Sequence, residues 1–153
     1  MAKTYAGAVI WREVDGVRQY LVIDTRSTHP NFPNAEQQTK FVGGTEQFHD
    51  HEDKNILDTL RRELREETGM CLPLEYYPLL IHSVPLEGHF KNFYDIPFSA
   101  LSGNLRTIEI TVEHDWMSVP HWITMADARR LYGHHYTAIQ KSDERYRTKL
   151  RAA

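Results

Sequence analysis

The chain has 153 residues, 41% hydrophobic and 25% charged, with a formal net charge of −3. That size and balance describe an ordinary globular chain with one core, read as a single domain over residues 1–153. They exclude attraction of nucleic acid or membrane by bulk charge. The lone Cys71 rules out an internal disulfide and any need for an oxidising compartment. Within the run Met70-Cys71-Leu72 it reads as a buried small hydrophobe. No apolar run approaches the ~20 residues of a membrane span, and the first residues lack the pattern of a secretory leader. The expected location is the cytoplasm. The stretch from Lys141 to Arg151 leans basic and reads as a solvated helix face.

In chain order, Tyr5 to Trp11 is short, apolar and β-prone, and Gln19 to Thr25 reads as its hairpin partner across the Asp15-Gly16 turn. Arg26 to Thr39, with Pro30 and Pro33, reads as a long surface loop of the kind that carries ligand contacts. Lys40 to Val42 reads as a short strand running into Gly43-Gly44. The period then changes. Ile56, Leu57, Leu60 and Leu64 recur at helical steps, with Asp53 as the expected N-cap and Gly69 at the C-terminal left-handed position. Tyr76 to Val84 and His89 to Ala100 read as strands, Gly103-Asn104 as a turn, and Ile108 to Val112 and Trp116 to Ile123 as strands, the last interrupted by Pro120. Met125 to Tyr132 and Tyr136 to Leu150 read as helices. Strands before, between and after helices imply an α+β chain, a mixed sheet with helices on its faces.

The segment Arg61-Arg62-Glu63-Leu64-Arg65-Glu66-Glu67-Thr68-Gly69-Met70 carries the chemistry. At about 100° per residue, Glu67 lies about 40° to one side of Glu63 and Glu66 about 60° to the other. Three carboxylates therefore share one face, beside the leucine stripe rather than opposite it. Arg62 stands four residues before Glu66, within reach of an ion pair. Like charges at this spacing repel, unless a hard divalent cation such as Mg²⁺ or Mn²⁺ gathers their oxygens and leaves room for water and phosphate. Judged alone, the alternating charges read rather as a solvated, salt-bridged helix surface.

The residues from Arg62 to Met70 resemble the second half of the Nudix hydrolase signature, Gly-x5-Glu-x7-Arg-Glu-U-x-Glu-Glu-x-Gly-U, at every specified position. Gly43-Gly44 after Phe41-Val42 resembles the glycines that open it. The resemblance is sharp from Gly43 to Met70 and architectural elsewhere. Between Gly44 and Arg62 the chain carries about four extra residues. The first-half glutamate therefore falls at Lys54 counted back and at Asp50 counted forward, with Glu52 or Asp53 as its spatial substitute.

The resemblance implies the Nudix fold, an α/β/α sandwich. It implies hydrolysis of a pyrophosphate linkage, with Mg²⁺ or Mn²⁺ as cofactor. The substrate classes are nucleoside triphosphates, ADP-ribose or another nucleotide sugar, and dinucleoside polyphosphates. Glu66 and Glu67 become the leading metal ligands, Glu63 a third ligand or the base, and Arg62 the residue that orients them. The carbonyl of Gly43 or Gly44 becomes a further ligand. Glu113 or Asp115 would supply an acid outside the motif, and Arg26 and Lys40 would hold phosphates. Pro85, fifteen residues after Met70, is spaced as in ADP-ribose-cleaving members. The alternative is a non-catalytic Nudix-fold nucleotide-binding or sensor module. The expected partner is a small-molecule nucleotide, without membrane or strong nucleic-acid attraction, and a homodimer is allowed. Phe93 and Tyr94 read as core rather than base-stacking residues. His49 and His51 around Asp50 have no standard ligand spacing, and His134-His135 reads as a solvated helix junction.

Overall fold

The computed structural model describes residues 3–47 and 53–152. Two long strands, β1 (Lys3–Val14) and β2 (Val17–Ser27), form the hairpin expected at Asp15-Gly16, with Val14 opposite Val17. Only Trp11 to Val14 pair with Val17 to Tyr20; beyond that the strands diverge. The gap is filled by β3 (Gln38–Lys40), antiparallel to β2, and β4 (Val42–Thr45), antiparallel to β1. The single strand expected at Lys40 to Val42 is thus two, parted at Phe41, where the chain passes from one long strand to the other.

On the far side of β1 lie β7 (His89–Pro97), parallel to it, and β6 (Leu79–Leu86), antiparallel to β7. On the far side of β2 lie β10 (Asp115–Met117) and then β9 (Ile110–Val112), and β11 (His121–Ile123) pairs with β2 separately. The strand expected from Trp116 to Ile123 is divided into β10 and β11 around Pro120, which has no amide proton to give a ladder. A small second sheet joins β5 (Met70–Cys71) to β8 (Ser102–Gly103). In β5 the side chains alternate, so Met70 is buried and Cys71 is exposed, contrary to its expected burial.

Helix α1 (Ile56–Thr68) lays Leu60 and Leu64 on Ala6, Ala8 and Ile10 of β1. Helix α2 (His134–Ala152) lays Ala138 and Ile139 on the other face, against Tyr5, Val9, Phe41 and Phe93. The period-two alternation of β1 therefore feeds two cores, and the architecture is the expected mixed sheet between helices. Phe93 and Tyr94 are both core, as expected. The segment Met125–Arg130 is a 3-10 helix rather than an α-helix. His135, expected in solvent, is 1% exposed: its Nδ1 accepts the Phe41 amide at 3.1 Å, so α2 is pinned to the β3–β4 crossing. Part of the basic stretch is committed internally, with Arg145 paired to buried Asp95 at 3.0 Å, while Arg147 pairs with Asp143 along the exposed helix face at 2.7 Å. Among the described residues no helix is long and apolar enough to cross a membrane.

Candidate active site

Helix α1 begins at Asn55, not at Asp53: the Asn55 side chain accepts the Asp58 amide at 3.0 Å. Asp53 has a different task. It accepts both Nε and Nη2 of Arg62, at 3.0 and 2.8 Å, and also the Thr59 hydroxyl and the Gln47 amide, each at 2.9 Å. This bidentate, charge-assisted pairing is nearly fully buried. The Arg62 hydrogen bonds above all hold the Asp53 carboxyl below the usual carboxylate range. Asp53, one of the two spatial substitutes expected for the first-half glutamate, is thus the carboxylate paired with Arg62 among the described residues. Asp50 and Glu52, and likewise His49 and His51, lie outside the described residues, and Lys54 is exposed on the helix approach.

Arg62 also donates to the Thr45 carbonyl at 3.1 Å and to Glu63 Oε1 at 2.8 Å, and stands 3.5 Å from Glu66 Oε2. One guanidinium thus ties the helix to β4 and orients two of the three acids. The acids differ in setting. Glu66 is exposed; Glu63 is half-buried; Glu67 is 2% exposed. Glu67 Oε1 accepts the Gly43 amide at 2.7 Å. Glu63 lies against Gly44 so closely that a Cβ there would overlap its carboxylate. Glycine at 44 is a requirement of approach. At the other end Gly69 takes φ 81 and its amide caps the Arg65 carbonyl, the left-handed termination expected of it.

Burial pushes Glu67 up to about 7, against the pull of Lys40 and the Gly43 amide, and Glu63 adds to the rise. Burial also raises Glu63, opposed by Arg62. Lys40, on β3, sends Nζ to the Gly43 carbonyl at 3.3 Å. Burial disfavours its charge, but Tyr5, Glu67 and Glu63 outweigh that and hold its pKa above the ordinary lysine value. The structure thus brings Glu63, Glu67, Gly43, Gly44 and Lys40 together, with Arg62 and Glu66 at the rim.

Among the described residues, no three acidic, histidine or cysteine side chains converge on one point. The donors at hand are carboxylate and carbonyl oxygens, which suit a hard cation that keeps water and substrate phosphate in its shell. Glu63, Glu66 and Glu67 offer oxygens that fit Mg²⁺ or Mn²⁺ on that basis; buried Glu67 has one hydrogen bond, from Gly43, and Lys40 as a nearby cation.

The remaining candidates lie apart. Arg26 is exposed on β2, 5.5 Å from the Trp116 ring centre. With Phe32, Pro33, Gln38 and Asp115 it lines a cleft of about 550 Å³ formed by the expected surface loop. Asp115 interacts electrostatically with Lys40, and Gln38 shares a face of β3 with Lys40. Glu113 sits in the β9–β10 turn with φ 55 and is exposed. Pro85 lies in β6, paired with Phe90.

Sequence reasoning missed two residues here. Arg106 donates from Nε and Nη2 to the Glu67 carbonyl, at 3.0 and 2.8 Å, and from Nη2 to the Ser118 carbonyl at 2.8 Å. Tyr5, on the α2 side of the sheet, aims its hydroxyl at Gly43.

No protein-family model matches the sequence, and no curated protein matches it. Solved structures do. The NUDIX domain of Shewanella oneidensis NrtR complexed with ADP ribose is 21% identical, covers 94% of this chain and 87% of its own, and superposes with a TM-score of 0.68. A NUDIX hydrolase from Listeria monocytogenes is 18% identical over 95% of each chain, with a TM-score of 0.68. S. oneidensis NrtR complexed with a 27mer DNA is 20% identical, with a TM-score of 0.65 over 95% of this chain and 63% of that longer one.

Proposed function

The chain has the Nudix fold, and on that basis we propose a divalent-metal-dependent hydrolase that cleaves the pyrophosphate linkage of a nucleoside diphosphate joined to another group. The observation that carries this reading is the placement of Glu63 and Glu67 over Gly43-Gly44, with Glu66 beside them and Arg62 fixing the set. A surface salt-bridge helix would not bury a glutamate on the backbone of a neighbouring strand. Glu66, Glu67 and Glu63 would hold Mg²⁺ or Mn²⁺, with the Gly43 or Gly44 carbonyl as a further oxygen donor. Such an ion supplies charge neutralisation on the phosphates and a more acidic bound water. A carboxylate of the cluster takes the proton of the attacking water as the new P–O bond forms and the anhydride P–O bond breaks. Lys40 neutralises phosphate charge beside the carboxylates. The cleft at Arg26, Phe32 and Asp115 is of a size for a nucleoside. ADP-ribose in the similar NrtR domain supports a nucleotide of that general kind.

A second reading, a nucleotide-binding module that does not turn over, is favoured by Lys40. Its ammonium already compensates Glu67 and Glu63 without any added cation. The deciding experiment is phosphate or monophosphate release from a panel of nucleoside-diphosphate compounds, with and without Mg²⁺ or Mn²⁺. The hydrolase reading expects metal-dependent release that Glu66→Gln and Glu67→Gln abolish while the fold survives. Tight binding of one compound without release from any would establish the second reading instead.

A further inference from the structure

On the α2 face, the parallel register of β1 and β7 sets Lys91 directly beside Tyr5. The Lys91 ammonium stands 5.2 Å from the Tyr5 ring centre and 5.3 Å from that of Tyr132; the Lys40 ammonium stands 5.9 Å from the Tyr5 ring centre. Tyr132 is held there by its own amide, which donates to the Thr39 carbonyl at 3.2 Å, one residue before Lys40. Two cations and two phenols from four segments of the chain therefore meet beside the carboxylate cluster.

Two members of this group have no hydrogen-bond or ion-pair partner among the described residues. Lys91 has no ion pair or hydrogen bond among the described residues. The Tyr5 hydroxyl is buried and also lacks a partner among them, although Tyr5 is only 9% exposed. An orphaned buried hydroxyl is costly unless something arrives to accept its proton. His135, beneath the group, adds no charge: burial first, then Lys40 and Lys91, depress its pKa well below the usual histidine value. An anion with several acceptor oxygens satisfies both ammoniums and the phenol together.

We propose that Lys91, Tyr132 and the Tyr5 hydroxyl, with Lys40, form a seat for a phosphate beyond the diphosphate that is cut. This rests on the nucleotide-hydrolase reading and refines its substrate class. Lys40 is common to both regions, since it interacts with Asp115 at the cleft edge and with Tyr5 beside Lys91. A phosphate chain running past Lys40 reaches Lys91 with its next charged group. The substrate is then a nucleoside triphosphate or a dinucleoside polyphosphate rather than a nucleotide sugar, whose second half is uncharged. Tyr132, 42% exposed, is the outermost wall of the seat.

The test is calorimetric titration of the full chain with inorganic pyrophosphate and with inorganic triphosphate, each with Mg²⁺. These probes carry no base, so base preference does not enter. The wild-type chain should bind triphosphate about ten-fold more tightly than pyrophosphate. Lys91→Gln should remove that difference and leave pyrophosphate affinity within about two-fold. Lys91→Arg should keep most of it, and Lys149→Gln, a charge control on α2, should keep all of it. Equal affinity for both probes in the wild type, equal weakening of both by Lys91→Gln, or no binding of either would overturn the seat. Thermal melting reports whether each variant is folded, and Lys91→Arg keeps the test open if the glutamine variant is not. Binding is read without turnover, so the two readings fail separately. An inert chain that shows the Lys91-dependent preference loses the hydrolase reading alone, and an active chain without the preference loses the seat alone.

Discussion

The amide of Gly43 donates to Glu67 Oε1 at 2.7 Å, so a strand backbone, not a side chain, positions the most buried acid of the helix. The next residue completes the fit, because Gly44 leaves room only for the Glu63 carboxylate. Gly44→Ala is therefore a catalytic lesion more than a folding one. The added methyl meets the far end of a flexible side chain, which can swing aside, but Glu63 then leaves its place. A displacement of about 1 Å costs on the order of 100-fold in rate. Expected is a loss of about that size in metal-dependent turnover with a melting temperature near wild type. Unchanged turnover would show that Glu63 is not required where it stands.

Arg62 offers the opposite balance. Its guanidinium holds Asp53, Glu63 and the Thr45 carbonyl, and the Asp53 carboxylate is buried. Arg62→Ala strands that carboxylate without its partner, which costs about 3–5 kcal/mol. Arg62→Lys supplies the charge but cannot fork across both Asp53 oxygens, so it should recover only part. Urea denaturation of the two variants and of Asp53→Asn gives the ordering. If Arg62→Ala unfolded at the wild-type midpoint, the buried pair would have no structural role.

What could be read from the sequence was local. The helix face that unites Glu63, Glu66 and Glu67, the Gly69 termination and the Asp15-Gly16 hairpin all follow from spacing within one element. The mixed sheet with helices on its faces follows from the order of elements. Contacts set by pairing of distant segments were hidden. Nothing in the sequence gives the β1–β7 register that brings Lys91 to Tyr5, or the 39-residue reach of Arg106 to the Glu67 carbonyl. An acid before a helix usually caps it, which is the expectation for Asp53; a buried arginine nine residues on competes for it and wins. His135 was read as solvated because polar pairs at helix starts usually are, yet an unpaired Phe41 amide at the β3–β4 break needed an acceptor. Cys71 took the outer face of a two-residue strand whose inner position Met70 had filled.

Arg106 takes the carbonyl of Glu67 at the end of α1 and the carbonyl of Ser118, and its own amide donates to Thr68. It therefore locks the last turn of the helix to the segment that carries β10. Arg106→Ala leaves these carbonyls without their donor, at a cost of about 1–3 kcal/mol. The same change frees the backbone that carries the Glu67 side chain. The expected outcome is weaker Mg²⁺ binding as well as a lower melting temperature. Arg106→Lys should regain stability in part. A variant that lost stability while binding Mg²⁺ as tightly as wild type would confine Arg106 to the fold.

The two buried acids set opposing pH dependences. Asp53 titrates below the usual range in the folded chain because Arg62 holds its charge. The stability it gives is complete above the unfolded carboxyl pKa and is lost as pH falls through the lower folded value. Glu67 is raised from 4.5 to about 7 by burial, so between those values the folded chain keeps a proton that the unfolded chain has released. Stability from that proton is complete below the unfolded value and disappears as pH rises toward 7. A bound divalent cation needs the ionised carboxylate, so its affinity should climb over the same interval as it displaces the proton. Melting curves from pH 3 to 8 test both parts. In chelator, the melting temperature should rise from pH 3 and, relative to a protein without the Glu67 proton, decline from pH 5 toward pH 7, since neutral buried His135 gains stability over the same range. With saturating Mg²⁺ the decline should vanish, since the ion stabilises the form that high pH favours. In Glu67→Gln the decline should shrink to what the raised Glu63 leaves, with or without Mg²⁺, because the amide has no proton to lose. A decline of the same size in Glu67→Gln would place its origin in another group.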